Sequence, residues 1–275
     1  MREDHAVPAA DDAAVQALGL TRRFGRLTAV DRLDLTVSNR SIFGLLGPNG
    51  AGKSTTIKML TTLLRPTAGT ARVAGSDIIS APRAVRRRIG YVPQLLSADG
   101  ALTGVENLML SARLYGIGER ESRTRIDESL RFMGLEEAAG KLVRTYSGGM
   151  IRRLEVAQAM LHRPRVLFLD EPTIGLDPVA RATVWSRLEE LQQTYGTTVF
   201  LTTHDMEEAD ELCDEIAIMH RGHIAVNGAP ADLKESVGPD ADLGDVFAHY
   251  SGGAIEEGGE YRNVRRMRVT AKRLG

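Results

Sequence analysis

Gly47-Pro48-Asn49-Gly50-Ala51-Gly52-Lys53-Ser54, followed by Thr55, decides how the rest of the chain is read. Two glycines flank four residues and are followed by a lysine and a hydroxyl, the spacing of a loop whose backbone N–H groups cradle phosphates at a helix N-terminus. The flanks have the required order. Ser41–Leu46 is nearly all apolar, as in a strand buried on both faces, and Ser54–Leu64 sets Ile57, Leu60 and Leu64 at helical spacing before Arg65-Pro66. In this reading Lys53 reaches the β- and γ-phosphates and Ser54 ligates Mg²⁺, so the expected ligand is ATP or another nucleoside triphosphate with magnesium. A glycine-rich turn opening a helix accounts for neither the lysine nor the hydroxyl.

A second motif asks whether the nucleotide is cleaved. Val166–Leu169 is an apolar strand ending in Asp170-Glu171. Successive side chains on a strand point opposite ways, so the two carboxylates take different tasks: Asp170 the magnesium shell, Glu171 the attacking water. Alone, the pair reads equally as a helix-entry turn; beside a phosphate loop it completes a hydrolase. A third motif, Tyr146-Ser147-Gly148-Gly149-Met150, precedes a helix predicted over 151–161 and sets a hydroxyl and two glycine N–H groups at its positive end. That is a second anion site in one chain.

Around these motifs the pattern is α/β. Leu33–Val37 alternates and belongs to an N-terminal antiparallel β element. Val166–Leu169, Thr197–Leu201 and Glu215–Met219 are strands of a mainly parallel sheet, with a helix predicted over 179–193. A helical subdomain is expected over about 95–162, where Val105, Leu108 and Ala112 share one face and Ile126, Leu130 and Met133 another. The cassette is placed at 13–228, between an Ala-rich acidic arm (1–12) and short helical segments over 229–250; a Gly-rich basic tail (251–275) follows. Both ends are expected to be disordered.

Composition narrows the class. Lys and Arg number 35 against 36 Asp and Glu, so the net charge of −1 gives no bias toward nucleic acid. No run approaches the ~18 apolar residues of a membrane span, and the first residues lack the apolar core of a secretory signal. A cytosolic protein is expected. The single cysteine, Cys213, has no disulfide partner and reads as a small buried hydrophobe. Arg86-Arg87-Arg88 reads as a solvated face. The tail's Arg262, Arg265, Arg266, Arg268, Lys272 and Arg273 read as a charged end, or as a patch for anionic lipid beside a membrane protein.

Taken in order, the motifs resemble those of the ATP-binding subunits of ABC transporters. GPNGAGKS is similar to their Walker A, Gln94 in Tyr91-Val92-Pro93-Gln94 to their Q-loop, and YSGGM to their signature. VLFLDE is similar to Walker B, Gly175-Leu176-Asp177 to the D-loop, and His204 in Thr202-Thr203-His204-Asp205 to the switch histidine. Phe24 stands where the family places an adenine-stacking aromatic, although an apolar ring there also suits packing. Tyr146 and Met150 depart from the usual Leu and Gln. They resemble, with the Thr202–Asp210 run, the daunorubicin-resistance-type branch of drug and antibiotic exporters.

The resemblance implies the rest. The fold is a P-loop NTPase core with an inserted helical subdomain. Two copies pair head to tail, the signature of one (Ser147, Gly148, Gly149) and its Asp177 closing over ATP on the P-loop of the other. Gln94 adds a magnesium and water ligand, and His204 contacts the γ-phosphate. A separate membrane permease, engaged at the cytoplasmic face of the membrane, forms the export path. The alternatives are a soluble ABC ATPase with a non-transport target and an importer subunit. Fused double cassettes and long coiled-coil insertions, which mark ribosome- and DNA-acting members, are missing between the motifs.

Overall fold

A computed structural model describes residues 13–251; the arm over 1–12 and the six basic tail residues lie outside the described residues. The chain runs β1 (Ala13–Phe24), β2 (Leu27–Ser38), β3 (Ile42–Leu46), α1 (Lys53–Leu60), β4 (Ala68–Val73), β5 (Ser76–Asp77), α2 (Pro82–Arg86) and β6 (Ile89–Val92). It continues with α3 (Gly104–Leu114), α4 (Glu119–Phe132), α5 (Gly148–Met160), β7 (Val166–Asp170), α6 (Pro178–Tyr195), β8 (Thr198–Thr203), α7 (Met206–Leu212), β9 (Glu215–His220), β10 (His223–Gly228), α8 (Pro230–Val237) and α9 (Leu243–Tyr250).

Two sheets organise these elements. One has the order β10-β9-β3-β8-β7-β6 and is parallel except at the β10 edge, where a short hairpin returns from β9. The other, β2-β1-β4-β5, is antiparallel. The large sheet is covered on both faces, which is why its central strands are uninterrupted apolar runs. Phe43, Leu45, Phe168 and Phe200 point toward α1 and the antiparallel sheet; Ile42, Leu46, Leu167, Leu169, Val199 and Leu201 point toward the other helices. Phe200 lies 5.0 Å from Phe43 and 5.3 Å from Phe168, a row of tilted rings across three strands. Cys213 is buried as expected: a Cβ on Gly44 would stand 2.7 Å from its sulfur, so the thiol fills the space that glycine leaves.

The helical segments follow their predicted faces. Leu108, Ala112, Ile126, Leu130 and Met133 are buried together beside α5, while Val105 is only partly covered. Two predicted helix bounds are corrected. The helix after the phosphate loop stops at Leu60 rather than Leu64, because Thr62 takes a left-handed φ of 64° that breaks the ladder ahead of Pro66. The helix after Tyr146 starts at Gly148 rather than Ile151, so the two signature glycines are its first turn. β4, β6 and β10 carry mixed or short patterns that the periodicity does not isolate.

Candidate functional site

The phosphate loop leaves β3 at Gly47 and enters α1 at Lys53, at the C-terminal edge of the parallel sheet. Glycine is required at both ends of it. A Cβ on Gly47 would lie 2.3 Å from the Met219 carbonyl oxygen, and Gly52 has φ 112° with Ala29 O only 2.6 Å from its Cβ position. No side chain caps α1, and its first turn holds no acid. Its first N–H groups are therefore left to an anion, and the helix dipole adds to their pull. Pro48, Asn49 and Gly50 are exposed at the loop's crest, Ala51 is buried and Thr55 half-buried.

Lys53 is only 4% exposed. Its Nζ donates to the carbonyls of Gly47 (2.6 Å) and Pro48 (3.2 Å) and stands 3.3 Å from Glu171 Oε1. Burial pushes the ammonium below its usual pKa, and the charges of Glu171 and Asp170 pull it back up. The cation thus stays paired inside the loop, between two carbonyls and a carboxylate.

The two carboxylates separate because the strand ends between them. Asp170 is the last residue of β7, and Glu171 has a left-handed φ of 50°, a conformation costing a non-glycine residue about 1–3 kcal/mol. Its N–H is held on β8 by the Thr202 carbonyl and hydroxyl oxygens, both at 3.1 Å. The same hydroxyl donates to Asp170 Oδ1 at 2.6 Å, and Ser54 Oγ donates to that oxygen at 3.1 Å. Turned this way, Glu171 meets three other residues singled out in the sequence: Lys53 at Oε1, and at Oε2 both Gln94 Nε2 (3.3 Å) and His204 Nδ1 (3.3 Å). The imidazole is off the hydrogen-bond line and 40% exposed at its side chain.

Other predicted residues lie elsewhere. Ser147 caps α5, its Oγ accepting the Met150 N–H at 3.3 Å, and Ser147 and Gly148 are exposed. Gly149 has a packing reason as well as an N–H: a Cβ there would stand 2.8 Å from Ala180 Cβ. The signature thus rests on the start of α6, not on the phosphate loop. Asp177, exposed, caps α6 by accepting the N–H groups of Val179 and Ala180, both at 3.0 Å. Phe24 is exposed at the end of β1, with the Arg22 guanidinium 4.5 Å over its ring. Tyr146 is core, its hydroxyl donating to the Ala138 carbonyl.

Sequence reasoning passed over Thr202, which sits in the quoted run before His204 and whose hydroxyl joins the Asp170 carboxylate to the Glu171 backbone N–H. It also passed over Glu208. Buried in α7, Glu208 accepts from Thr173 Oγ1 (2.7 Å) and Trp185 Nε1 (2.9 Å) and so ties the loop beyond Glu171 to the helix beyond His204. A Glu in an acidic run gives no sequence signal of that burial.

A lysine in a phosphate cradle, facing a carboxylate also approached by an amide and an imidazole, is the arrangement of a nucleotide hydrolase. Residues 30–174 match the family model described as ABC transporter. The chain belongs to that family. It is 48% identical over 225 residues to the daunorubicin/doxorubicin resistance ATP-binding protein of Streptomyces peucetius, covering 82% of this chain and 68% of that one. To the Nod factor export ATP-binding protein I of Ralstonia nicotianae it is 45% identical, covering 78% and 67%. Among solved structures it resembles an ATP-binding cassette described as a dimer in a post-hydrolysis state with ADP and Pi, with TM-score 0.70, 26% identity, and 78% and 98% of the chains covered. The ABC chain described here binds and hydrolyses ATP.

Proposed function

We propose that this ABC subunit powers export of a drug-like or hydrophobic compound through a separate membrane permease. The observation that carries the chemistry is the Glu171 carboxylate, 5% exposed and in contact with Lys53, Gln94 and His204. In this reading ATP phosphates take the loop amides and Lys53. Glu171 polarises the attacking water, Gln94 orients it, and His204 holds the γ-phosphate. The export assignment is supported by the likeness to the Nod factor export protein, and the drug-like cargo by the likeness to the Streptomyces resistance protein.

The donor set suits Mg²⁺, which binds through one or two protein oxygens plus phosphates. Ser54 Oγ and Asp170 Oδ1, 3.1 Å apart, would hold it, and Gln94, whose amide nitrogen bonds Glu171 Oε2, would add its amide oxygen. When bound, the ion neutralises charge on the phosphate oxygens.

Two copies would pair head to tail, Ser147, Gly148, Gly149 and Asp177 of each facing the ATP of the other, with Phe24 stacking on adenine. Binding closes the pair and hydrolysis reopens it. Among the described residues no helix is long and apolar enough to cross a membrane, and a subunit docked on its permease at the cytoplasmic face accords with that.

The test measures phosphate release with and without EDTA, and drug efflux from cells that co-express the chain with a candidate membrane permease. Efflux that disappears with Glu171→Gln supports the reading. ATP turnover with no drug efflux, and accumulation of a solute instead, would make it an importer subunit.

A further inference from the structure

The second turn of α5 buries two opposite charges that nothing above uses. The Arg152 and Glu155 side chains are each 2% exposed, with Nη1 and Oε2 2.9 Å apart. A buried ion pair adds little stability over apolar residues of the same shape, because desolvation offsets most of the attraction. Here Arg152 Nε is in addition buried without an acceptor. The pair is better explained by what it holds.

Arg152 donates from Nη1 to the Pro93 carbonyl (2.7 Å) and from Nη2 to the Gln94 carbonyl (2.8 Å). Glu155 Oε1 accepts the Ser97 N–H, the Ser97 hydroxyl (3.0 Å) and the Ala98 N–H (3.3 Å). All of these partners lie on the stretch leaving β6. The arginine grips its start and the glutamate its end, with Leu95 (81% exposed) and Leu96 (50%) bulging between them. Just beyond, Asp99 is bonded to Asn107 on α3, its N–H to Oδ1 at 2.9 Å and its carbonyl to Nδ2 at 3.0 Å.

Gln94 lies in the gripped stretch, and its side chain reaches Glu171. A planar guanidinium bonded to two successive carbonyls fixes the backbone from which that side chain extends. The helix that supplies the grip is the one capped by Ser147.

We propose that Arg152 and Glu155 are positioning residues of the ATPase cycle: they hold Gln94 on Glu171 and link that contact, through the body of α5, to the phosphate site at Ser147. The proposal rests on the roles given above to Glu171, Gln94 and Ser147. Neither Arg152 nor Glu155 touches reacting atoms, so breaking the grip should lower turnover and leave ATP affinity alone.

The experiment uses the full chain with MgATP. Arg152→Lys keeps the charge beside Glu155 but loses the fork. Displacing a catalytic contact by about an ångström costs up to ~100-fold, so kcat should fall about 10- to 100-fold with KM for ATP within about twofold. Arg152→Met with Glu155→Gln removes both charges at similar volume; it should show the same fall, and it supplies the result should Arg152→Lys melt early. The deciding comparison repeats each variant on Gln94→Ala. A grip that acts through Gln94 costs nothing further there, whereas a general structural defect costs the same factor in both backgrounds. Multiplying losses, or unchanged kcat in both variants, would overturn the positioning role while a slow Glu171→Gln control upholds the reading beneath it. A fully active Glu171→Gln would remove that reading, and the proposal with it.

Discussion

Glu171 and Ser147 both stand at the edge of a secondary-structure element and both are assigned to phosphate chemistry, yet their surroundings are opposite. Glu171 is buried and meets lysine, amide and imidazole from its own chain. Ser147 is exposed, bonded to its own helix, and backed by glycine packed on Ala180. The first region is assembled by folding alone. The second presents a hydroxyl and helix N–H groups outward, and in the proposed pair it gains its ligand from another copy. In the proposed pair one polypeptide would thus carry a half-site finished within the chain and an outward-facing one.

The largest effect that can break this contrast is at the exposed half. With Ser147→Arg, ATP turnover should drop to background while ATP binding to the single chain is retained, because a bulky cation occupies the partner's γ-phosphate position; normal turnover would mean that the halves are not shared. At the buried half, Glu171→Gln removes the group that polarises water, and general-base assistance is worth about 10²–10⁴-fold. Turnover should fall by at least about two orders of magnitude, and an ATP-dependent dimer should appear in size-exclusion chromatography. A monomeric, fully active protein would reject that role.

Lys53→Ala should weaken ATP binding roughly 10- to 100-fold, as expected for a charged hydrogen bond worth about 1.5–3 kcal/mol; titration calorimetry with MgATP checks it. The smallest effect sharpens the packing side of the comparison. Gly149→Ala brings a methyl within 2.8 Å of Ala180 Cβ, so it should destabilise by about 1–3 kcal/mol in denaturant unfolding. An unchanged midpoint would assign Gly149 to ligand approach alone.

The sequence showed the glycine loop, the two carboxylates and the strand–helix alternation because each follows from local rules: a positive φ, a period, a charge at the end of an apolar run. Two classes of fact were not legible. Helix bounds moved where one residue took an unforeseen conformation, as at Thr62, or where a cap fell earlier than the apolar pattern, as at Ser147. Long-range partners such as Thr202 with the Asp170 carboxylate and the Glu171 N–H, or Glu208 with Thr173 and Trp185, depend on which strands become neighbours. The parallel order β3-β8-β7 puts Thr202 opposite Asp170, and no spacing along the chain announces that pairing.

The helices after β10 set a limit on how far the protein can be trimmed. Leu233, Leu243, Val246 and Phe247 are buried in the same core as Leu212, Ile216 and Ile218, and Lys234 bonds Asp210 on α7 at 2.6 Å. A chain cut after Gly228 would keep every motif quoted above and still strip the cover from α7, the helix that follows His204. Such a fragment should associate through the uncovered apolar face, because the segments over 229–250 share the core of the cassette that the motifs outline.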